Sequence, residues 1–193
     1  MTQFANQIPT MPLTLLERRY RFTVQEFEQL STQGLFFGRK VELLDGEIID
    51  MNADGDGHST WTGSMNEKLV MAFFKKARVI PQQTMRLTED FNMPVPDFTI
   101  TPLERYEPRV VCSDEISIAI EISDSTLTDD RTFKQKLYAR NGVLEYWILN
   151  VQTGQLEVYR DPEGETYKTK ITLSKGQSIV PLEFPDVNLE WWT

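Results

Sequence analysis

An alternating pattern of apolar and polar positions marks the centre of the chain, over residues 116–123, where every second residue is isoleucine. A period of two residues is typical of a β-strand with one face in a core. The opposite face carries Ser117, Ala119, Glu121 and Ser123. A carboxylate among such small residues costs free energy unless a cation or another polar group pairs with it. Glu121 is therefore the first candidate for a functional residue.

The hydrophobic pattern predicts helices and strands on both sides of this central strand. A helix over 130–141 and an apolar strand over 144–149 follow it. The remaining helices are predicted over 24–31 and 60–77, a hairpin over 41–51, and further strands over 78–88, 95–101, 155–160 and 166–173. This order of elements indicates an α/β or α+β fold with a mixed sheet.

Two local signals support these elements. Thr23 and Glu26, three residues apart, form the pattern of a capping box at the start of the first helix. Asp45-Gly46, between two apolar pairs, is a strong signal for a tight hairpin turn. In the first strand of that hairpin, Glu42 points to the opposite face from Val41 and Leu43. If those two residues face the core, Glu42 is either solvated or part of a site.

Length and composition restrict the classes of protein that the chain can belong to. A chain of 193 residues suits one domain, which we expect over 21–193 after an N-terminal arm over 1–20. No apolar run is long enough to span a membrane, and the first residues do not resemble a secretion signal. A single cysteine, Cys112, excludes a disulfide framework, and we expect a cytoplasmic protein.

The net charge of −9 argues against a broad surface for nucleic acid, because such surfaces neutralise phosphates with lysine and arginine. It is compatible with a local basic groove, or with a groove that a second subunit completes. A basic groove leading to the candidate site would support a nucleic-acid substrate, and an acidic one would not.

The candidate chemistry is that of two carboxylates. Asp97 and Glu121 lie on consecutive predicted strands, and such strands commonly pair. Two neighbouring carboxylates repel each other, and a divalent cation between them removes that repulsion. Oxygen ligands suit Mg²⁺ or Mn²⁺, and such an ion polarises a phosphate oxygen and lowers the pKa of a bound water.

The helix after the central strand offers a cation. Asp130, Lys134 and Tyr138 share one stripe of this helix, beside Phe133 and Leu137. If those two apolar residues pack on the sheet, Lys134 lies at the margin of the packed face and can reach over the carboxylates. The alternative is an Asp130–Lys134 pair on the helix surface, which contributes little. The spacing leaves both alternatives open.

In their order along the chain, these residues resemble the PD-(D/E)XK, or restriction endonuclease-like, superfamily. They resemble most closely its "putative restriction endonuclease" branch, formerly a domain of unknown function. The matching segments are 22–27, 42–48, His58, Pro96-Asp97, Ile120-Glu121-Ile122-Ser123, Asp130 with Lys134 and Tyr138, and 142–147. The resemblance covers nearly all of 20–190 and implies a restriction endonuclease-like α/β fold, in which helices flank a central mixed sheet.

The resemblance also implies roles for single residues. Asp97 and Glu121 would be catalytic metal ligands, with the main-chain carbonyl of Ile122 as a third ligand and Glu42 completing the site. Ser123 stands where the superfamily has its lysine, and in this branch the lysine is moved to the next helix, which here means Lys134. Lys134 would orient the attacking water or stabilise the transition state.

His58, Asp130 and Tyr138 are secondary candidates. His58 is the only histidine, and we expect it chiefly to pack or to cap a helix start.

The sequence therefore predicts an Mg²⁺-dependent or Mn²⁺-dependent endonuclease that hydrolyses DNA, acts as a homodimer and has no membrane segment. Two alternatives stay open: a catalytically degenerate nuclease fold that binds nucleic acid or a protein partner, and a metal-dependent hydrolase of a smaller substrate. The negative charge and Ser123 favour the degenerate fold.

Overall fold

The computed structural model describes residues 19–51, 56–88, 90–105 and 109–191. The helices are α1 (Val24–Thr32), α2 (Asp56–Ala72) and α3, which runs over 127–140. The strands are β1 (Val41–Leu44), β2 (Glu47–Asp50), β3 (Ala77–Pro81), β4 (Met85–Arg86), β5 (Phe98–Pro102), β6 (Val111–Cys112), β7 (Ile118–Ser123), β8 (Glu145–Asn150), β9 (Gln155–Glu163), β10 (Thr166–Leu173), β11 (Ser178–Ile179) and β12 (Leu189–Glu190). The predicted arm over 1–20 lies outside the described residues except for its last two, and the single domain over 21–193 stays a prediction.

The centre of the fold is a mixed sheet in the order β10-β9-β8-β7-β5-β3. β7 and β8 are parallel, with helix α3 connecting them, and the other neighbouring pairs are antiparallel. The predicted fold class, a central mixed sheet with helices, is thereby confirmed. The predicted central strand occupies the middle of this sheet as β7.

The two faces of β7 pack against different helices because successive side chains of a strand point to opposite sides. Ile118, Ile120 and Ile122 join the core beneath α2, to which Met65 and Leu69 of α2 and Phe73, just after it, contribute. Ala119 joins the core beneath α3, which contributes Leu137 and Tyr138. Glu121 follows Ala119 by two residues and therefore faces α3.

Helix α2 begins and ends earlier than the pattern over 60–77 predicts. It begins at Asp56, so His58 lies in its first turn, and it ends at Ala72. Lys75 has a positive φ of 59°, a left-handed conformation that ends the helical path and turns the chain into β3. The strand predicted over 78–88 is accordingly divided into β3 and the short β4.

Helix α3 contains a π-helical turn at Asp130–Lys134, between the α-helical segments Leu127–Asp129 and Gln135–Arg140. The condition that both Phe133 and Leu137 pack on the sheet is met by Leu137 alone, which is fully buried, whereas Phe133 is 37% exposed. A π-turn has more residues per turn than an α-helix, so it rotates Phe133 out of line with Leu137.

Among the described residues, none of the helices combines the length and the apolar character that a membrane span needs.

Candidate metal centre

Asp97 and Glu121 approach each other across the β5–β7 ladder. Phe98 pairs with Ile120 in this antiparallel ladder, and continuing the register by one residue sets Asp97, immediately before β5, opposite Glu121. Opposite residues of an antiparallel pair point to the same side of the sheet. The Oδ2 atom of Asp97 accepts a hydrogen bond of 2.7 Å from the main-chain N–H of Ile122, which fixes that carboxylate beside β7.

Lys134 extends from the π-turn of α3 into this group of carboxylates. Its Nζ atom lies 3.1 Å from Glu121 Oε1, 3.7 Å from Glu42 Oε2 and 4.0 Å from Asp130 Oδ1. Its side chain is only 13% exposed, so the lysine is not part of a solvated surface pair. Of the two alternatives that the helix pattern left open, the structure has the lysine reaching the carboxylates.

Glu121 is held by α3 at two points. Besides Lys134, the buried hydroxyl of Tyr138 donates a hydrogen bond of 2.8 Å to the same Oε1 atom. Asp130 is itself buried and accepts a hydrogen bond of 2.7 Å from the Thr126 hydroxyl. The stripe of Asp130, Lys134 and Tyr138 therefore faces the sheet at Glu121.

Glu42 comes from a separate part of the chain, the β1–β2 hairpin. It is buried, and its Oε2 atom accepts a hydrogen bond of 3.2 Å from the main-chain N–H of Val95, close to Asp97 in sequence. This contact connects the hairpin to the segment that carries Asp97. Glu42 therefore stands at the site, and not in solvent.

His58 contacts the site from the first turn of α2. Its Nε2 atom lies 3.2 Å from Asp97 Oδ2, and its Nδ1 atom lies 3.3 Å from the hydroxyl of Thr62. The sequence predicts chiefly packing or capping for His58, a secondary candidate, and does not predict its contact with Asp97. Thr62 was missed altogether, although its position four residues after His58 on a helix was the available signal.

Negative charge exceeds positive charge in this buried cluster. Burial raises the pKa of Glu121 well above its ordinary value, against the opposing effect of Lys134. Burial also raises the pKa of Asp130, again opposed by Lys134. Burial alone would lower the pKa of Lys134, but the carboxylates of Glu121, Glu42 and Asp130 together outweigh it and raise that pKa. Lys134 is thus a firmly charged cation that compensates only part of the surrounding negative charge.

One oxygen of each central carboxylate is left for a further partner. The hydrogen bonds to Asp97 go to Oδ2 and those to Glu121 go to Oε1. Within the part of the chain that the structure describes, Asp97 Oδ1 and Glu121 Oε2 accept no hydrogen bond. Carboxylate oxygens in a cluster with excess negative charge are the donor set that suits Mg²⁺ or Mn²⁺.

The oxygen atoms of the three predicted carboxylate ligands, Asp97, Glu121 and Glu42, do not all lie within 4.8 Å of one another. Among the described residues, the group of three possible ligands whose atoms lie within 4.8 Å of one another is Cys112, Asp114 and Glu115, none of which belongs to the site. Asp97, Glu121 and Glu42 do not form such a group, and the ammonium group of Lys134 contacts both Glu121 and Glu42.

The cluster lies in an open cavity of about 780 Å³. We call this cavity the acidic pocket, because its lining carries one lysine, Lys134, and a larger set of carboxylates. These are Glu42, Asp45, Glu47, Asp50, Asp97, Glu121, Asp124, Asp129 and Asp130. Three of the carboxylates at the mouth are paired with arginines: Asp45 with Arg21, Glu47 with Arg19 and Asp50 with Arg39. Even with these three compensated, carboxylates outnumber cations in the described lining, so the approach to the site is acidic.

Comparison with known proteins finds a matching family and a similar structure. The family model described as "Uma2: Putative restriction endonuclease" matches residues 24–191. A crystal structure described as a "putative nuclease belonging to DUF820" from Anabaena variabilis superposes with a TM-score of 0.65 at 16% sequence identity. The match covers 88% of this chain and 94% of that one, and at this identity it shows a shared fold. No curated protein matches the sequence.

Proposed function

Because the chain belongs to the Uma2 family of restriction endonuclease-like proteins, we propose that it is a metal-dependent endonuclease that hydrolyses DNA phosphodiester bonds. The proposal takes Mg²⁺ or Mn²⁺ as the cofactor and DNA as the substrate. A homodimer is part of the proposal, since cutting both strands of a duplex requires two sites.

The single observation that carries this proposal is the position of Lys134. Its ammonium group lies 3.1 Å from Glu121, the residue opposite Asp97 in the sheet. A lysine beside two strand carboxylates suits phosphodiester hydrolysis, because charge develops on the phosphate oxygens in the transition state and a fixed cation stabilises it. Here the lysine comes from α3 and not from β7, where Ser123 occupies the expected position.

Asp97 and Glu121 would hold the cation, with the main-chain carbonyl of Ile122 and with Glu42 as further ligands. When bound, the ion supplies a polarised phosphate oxygen and a bound water of lowered pKa. Lys134 would orient the attacking water or stabilise charge at the phosphate. Two buried contacts support preorganisation of the ligands: His58 beside Asp97 and Tyr138 bound to Glu121.

The test is nicking of supercoiled plasmid DNA with Mg²⁺ or Mn²⁺, comparing wild type with Asp97→Asn. Asp186→Asn is a matched control, because Asp186 is exposed and lies outside the acidic pocket. We expect nicking by wild type and by the control, and none by Asp97→Asn. Equal nicking by all three proteins would overturn the proposal, because the activity would then not arise at this site.

The acidic lining favours a second candidate function, a metal-dependent hydrolase of a substrate smaller than DNA. A polyanionic duplex is repelled by the excess negative charge of the acidic pocket, whereas a small ester that binds to the ion has less charge to bring past it. Hydrolysis of bis(p-nitrophenyl) phosphate with Mn²⁺, lost in Asp97→Asn, together with no cleavage of plasmid or single-stranded DNA, would establish this alternative.

A further inference from the structure

A second cavity, of about 370 Å³, adjoins the acidic pocket. We call it the aromatic groove, because three phenylalanines contribute to its wall. Its lining consists of Phe27, Ser31, Gly34, Phe36, Phe37, Arg39, Lys40, Val41, Met51, Gln82, Thr84 and Val95. Met51 and Val95 line both cavities, so the aromatic groove is a direct neighbour of the acidic pocket.

Phe37 is 94% exposed, which makes it the most exposed large hydrophobic side chain of the described residues. Such a side chain adds nothing to the core. It nevertheless stands on an ordered turn, in which Phe37 N–H donates to Gly34 and Arg39 N–H donates to Phe36. The preceding residue, Phe36, stacks on Phe27 with ring centroids 5.4 Å apart. The backbone at Phe37 is thus fixed by hydrogen bonds, and its exposed ring has a face available for stacking.

The charge of the aromatic groove is opposite to that of the acidic pocket. Among the residues that the structure describes, its lining includes two cations, Arg39 and Lys40, and no aspartate or glutamate. Arg39 forms two hydrogen bonds with Asp50, and Lys40 donates a hydrogen bond to Gln82. The side chains of Arg39 and Asp50 are both exposed, and exposed ion pairs contribute little, so a phosphate can compete with Asp50 for Arg39.

We propose that the aromatic groove is the substrate-entry subsite, where an unpaired nucleobase stacks on Phe37 while its flanking phosphates contact Arg39 and Lys40. This inference rests on the proposed function and specifies its substrate as a nucleic acid with single-stranded character next to the cleaved bond. A flat aromatic surface beside cations is the combination that binds single strands without sequence preference. It also resolves the charge conflict, because the strand enters over the wall that carries Arg39 and Lys40 and only the reacting phosphate meets the carboxylates.

The test is binding of a fluorescein-labelled single-stranded oligonucleotide by the full chain, measured by fluorescence anisotropy. Binding is recorded with EDTA and with Ca²⁺, and a second oligonucleotide carries 2-aminopurine, whose emission falls when it stacks on an aromatic ring. The variants are Phe37→Ala, Phe37→Leu and Phe37→Trp. Phe74→Ala is the matched control, because Phe74 is 67% exposed and lies after α2, away from both cavities.

We expect Phe37→Ala and Phe37→Leu to weaken binding about tenfold and to restore the 2-aminopurine emission, because the stacking surface is lost. Phe37→Trp retains tight binding, and Phe74→Ala behaves as wild type. Arg39→Gln and Lys40→Gln each lower the slope of log affinity against log salt concentration by about 0.7, the loss of one phosphate contact to a single strand.

Binding by wild type that Phe37→Ala and Phe74→Ala leave equally unchanged would overturn the inference, and plasmid nicking would still test the proposed function separately. Binding that depends on Phe37 without any nicking supports the subsite and overturns the proposed nuclease. Absence of binding by wild type in both buffers overturns the subsite.

Discussion

The ammonium group of Lys134 lies 3.1 Å from the carboxylate of Glu121, thirteen residues earlier in the chain. The strand supplies the carboxylate and the following helix supplies the cation that pairs with it, so one β-strand–helix unit contains both charges. Glu42 and Asp130 lie within 4.0 Å of the same ammonium group, which makes Lys134 the electrostatic centre of the cluster.

Lys134→Gln is expected to abolish nicking, by at least about a hundredfold, because a cation near the reacting phosphate is removed. It is also expected to lower the free energy of unfolding at pH 7 by about 3–5 kcal/mol, since it leaves buried carboxylates without their partner. Urea unfolding and plasmid nicking measure the two effects. Lys136→Gln is the matched control on the exposed side of the same helix and should retain both properties.

The loss of stability in Lys134→Gln should depend on pH with a definite sign. Without the lysine, Glu121 and Asp130 have folded-state pKa values raised by burial, so they bind more protons in the folded state than in the unfolded chain. The variant is therefore expected to recover stability as pH falls from neutral toward 5. A variant that loses stability over that interval would contradict the electrostatic account of the cluster.

Asp97→Asn should separate metal binding from folding. Mn²⁺ at 100 times its dissociation constant is expected to stabilise wild type by about 2.7 kcal/mol, and this increase should vanish in the variant. Without metal, the variant should be at least as stable as wild type, because Asp97 contributes to the raised pKa of Glu121 and its amide oxygen can still accept from Ile122 N–H. Thermal unfolding with and without Mn²⁺ measures both effects. A Mn²⁺ shift of equal size in wild type and variant would remove Asp97 from the ligand set, with Asp186→Asn as the reference.

Tyr138→Phe removes one hydrogen-bond donor from Glu121 and leaves the packing of the ring intact. We expect a loss of about 1–3 kcal/mol in the free energy of unfolding, measured in urea. Tyr167→Phe is the matched control, because the Tyr167 hydroxyl is also buried and donates at 2.8 Å, but to the neutral main-chain carbonyl of Val143. Metal affinity should change in Tyr138→Phe alone, and an equal change in the two variants would contradict a positioning role for Tyr138.

Glu157 should determine part of the stability at acid pH. Burial alone would raise the pKa of Glu157, but hydrogen bonds from Arg131, Tyr159 and Lys170 outweigh it and lower the pKa to about 2. A lowered folded-state pKa stabilises the protein above the unfolded value near 4.5, and this stabilisation is lost as pH falls toward 2.

Glu157→Gln should therefore reduce the free energy of unfolding by about 1–2 kcal/mol at pH 6 and by much less near pH 2.5, measured by urea unfolding at both values. Since Arg131 belongs to α3, the contact also fixes the helix that carries Lys134. Glu163→Gln is a control from an exposed pair on the same sheet, and it should show a small effect at both pH values. An equal loss at both pH values in Glu157→Gln would show that its contribution is not ionic.

Much of the local structure could be predicted from the sequence, because it depends on residues close together in the chain. The capping box of Thr23 and Glu26 is present, and the Asp45-Gly46 turn joins β1 to β2 with Leu44 opposite Glu47. The alternation over 116–123 correctly predicted that Glu121 faces away from the isoleucine core. Local sequence patterns did not predict the structure where the backbone departs from regular geometry, as at Lys75 and in the π-turn that contains Phe133.

By itself, the sequence determined the order of helices and strands, the two-faced character of β7 and the restriction endonuclease-like resemblance, since periodicity and motif order are properties of the linear chain. Only the tertiary structure decided that Asp97 stands opposite Glu121, that Lys134 is buried among carboxylates and that the approach to them is acidic on one side and aromatic on the other. These features combine segments far apart in the chain, from the 41–50 hairpin to helix α3. Their distances depend on how the sheet and helices pack, and no local pattern encodes that packing.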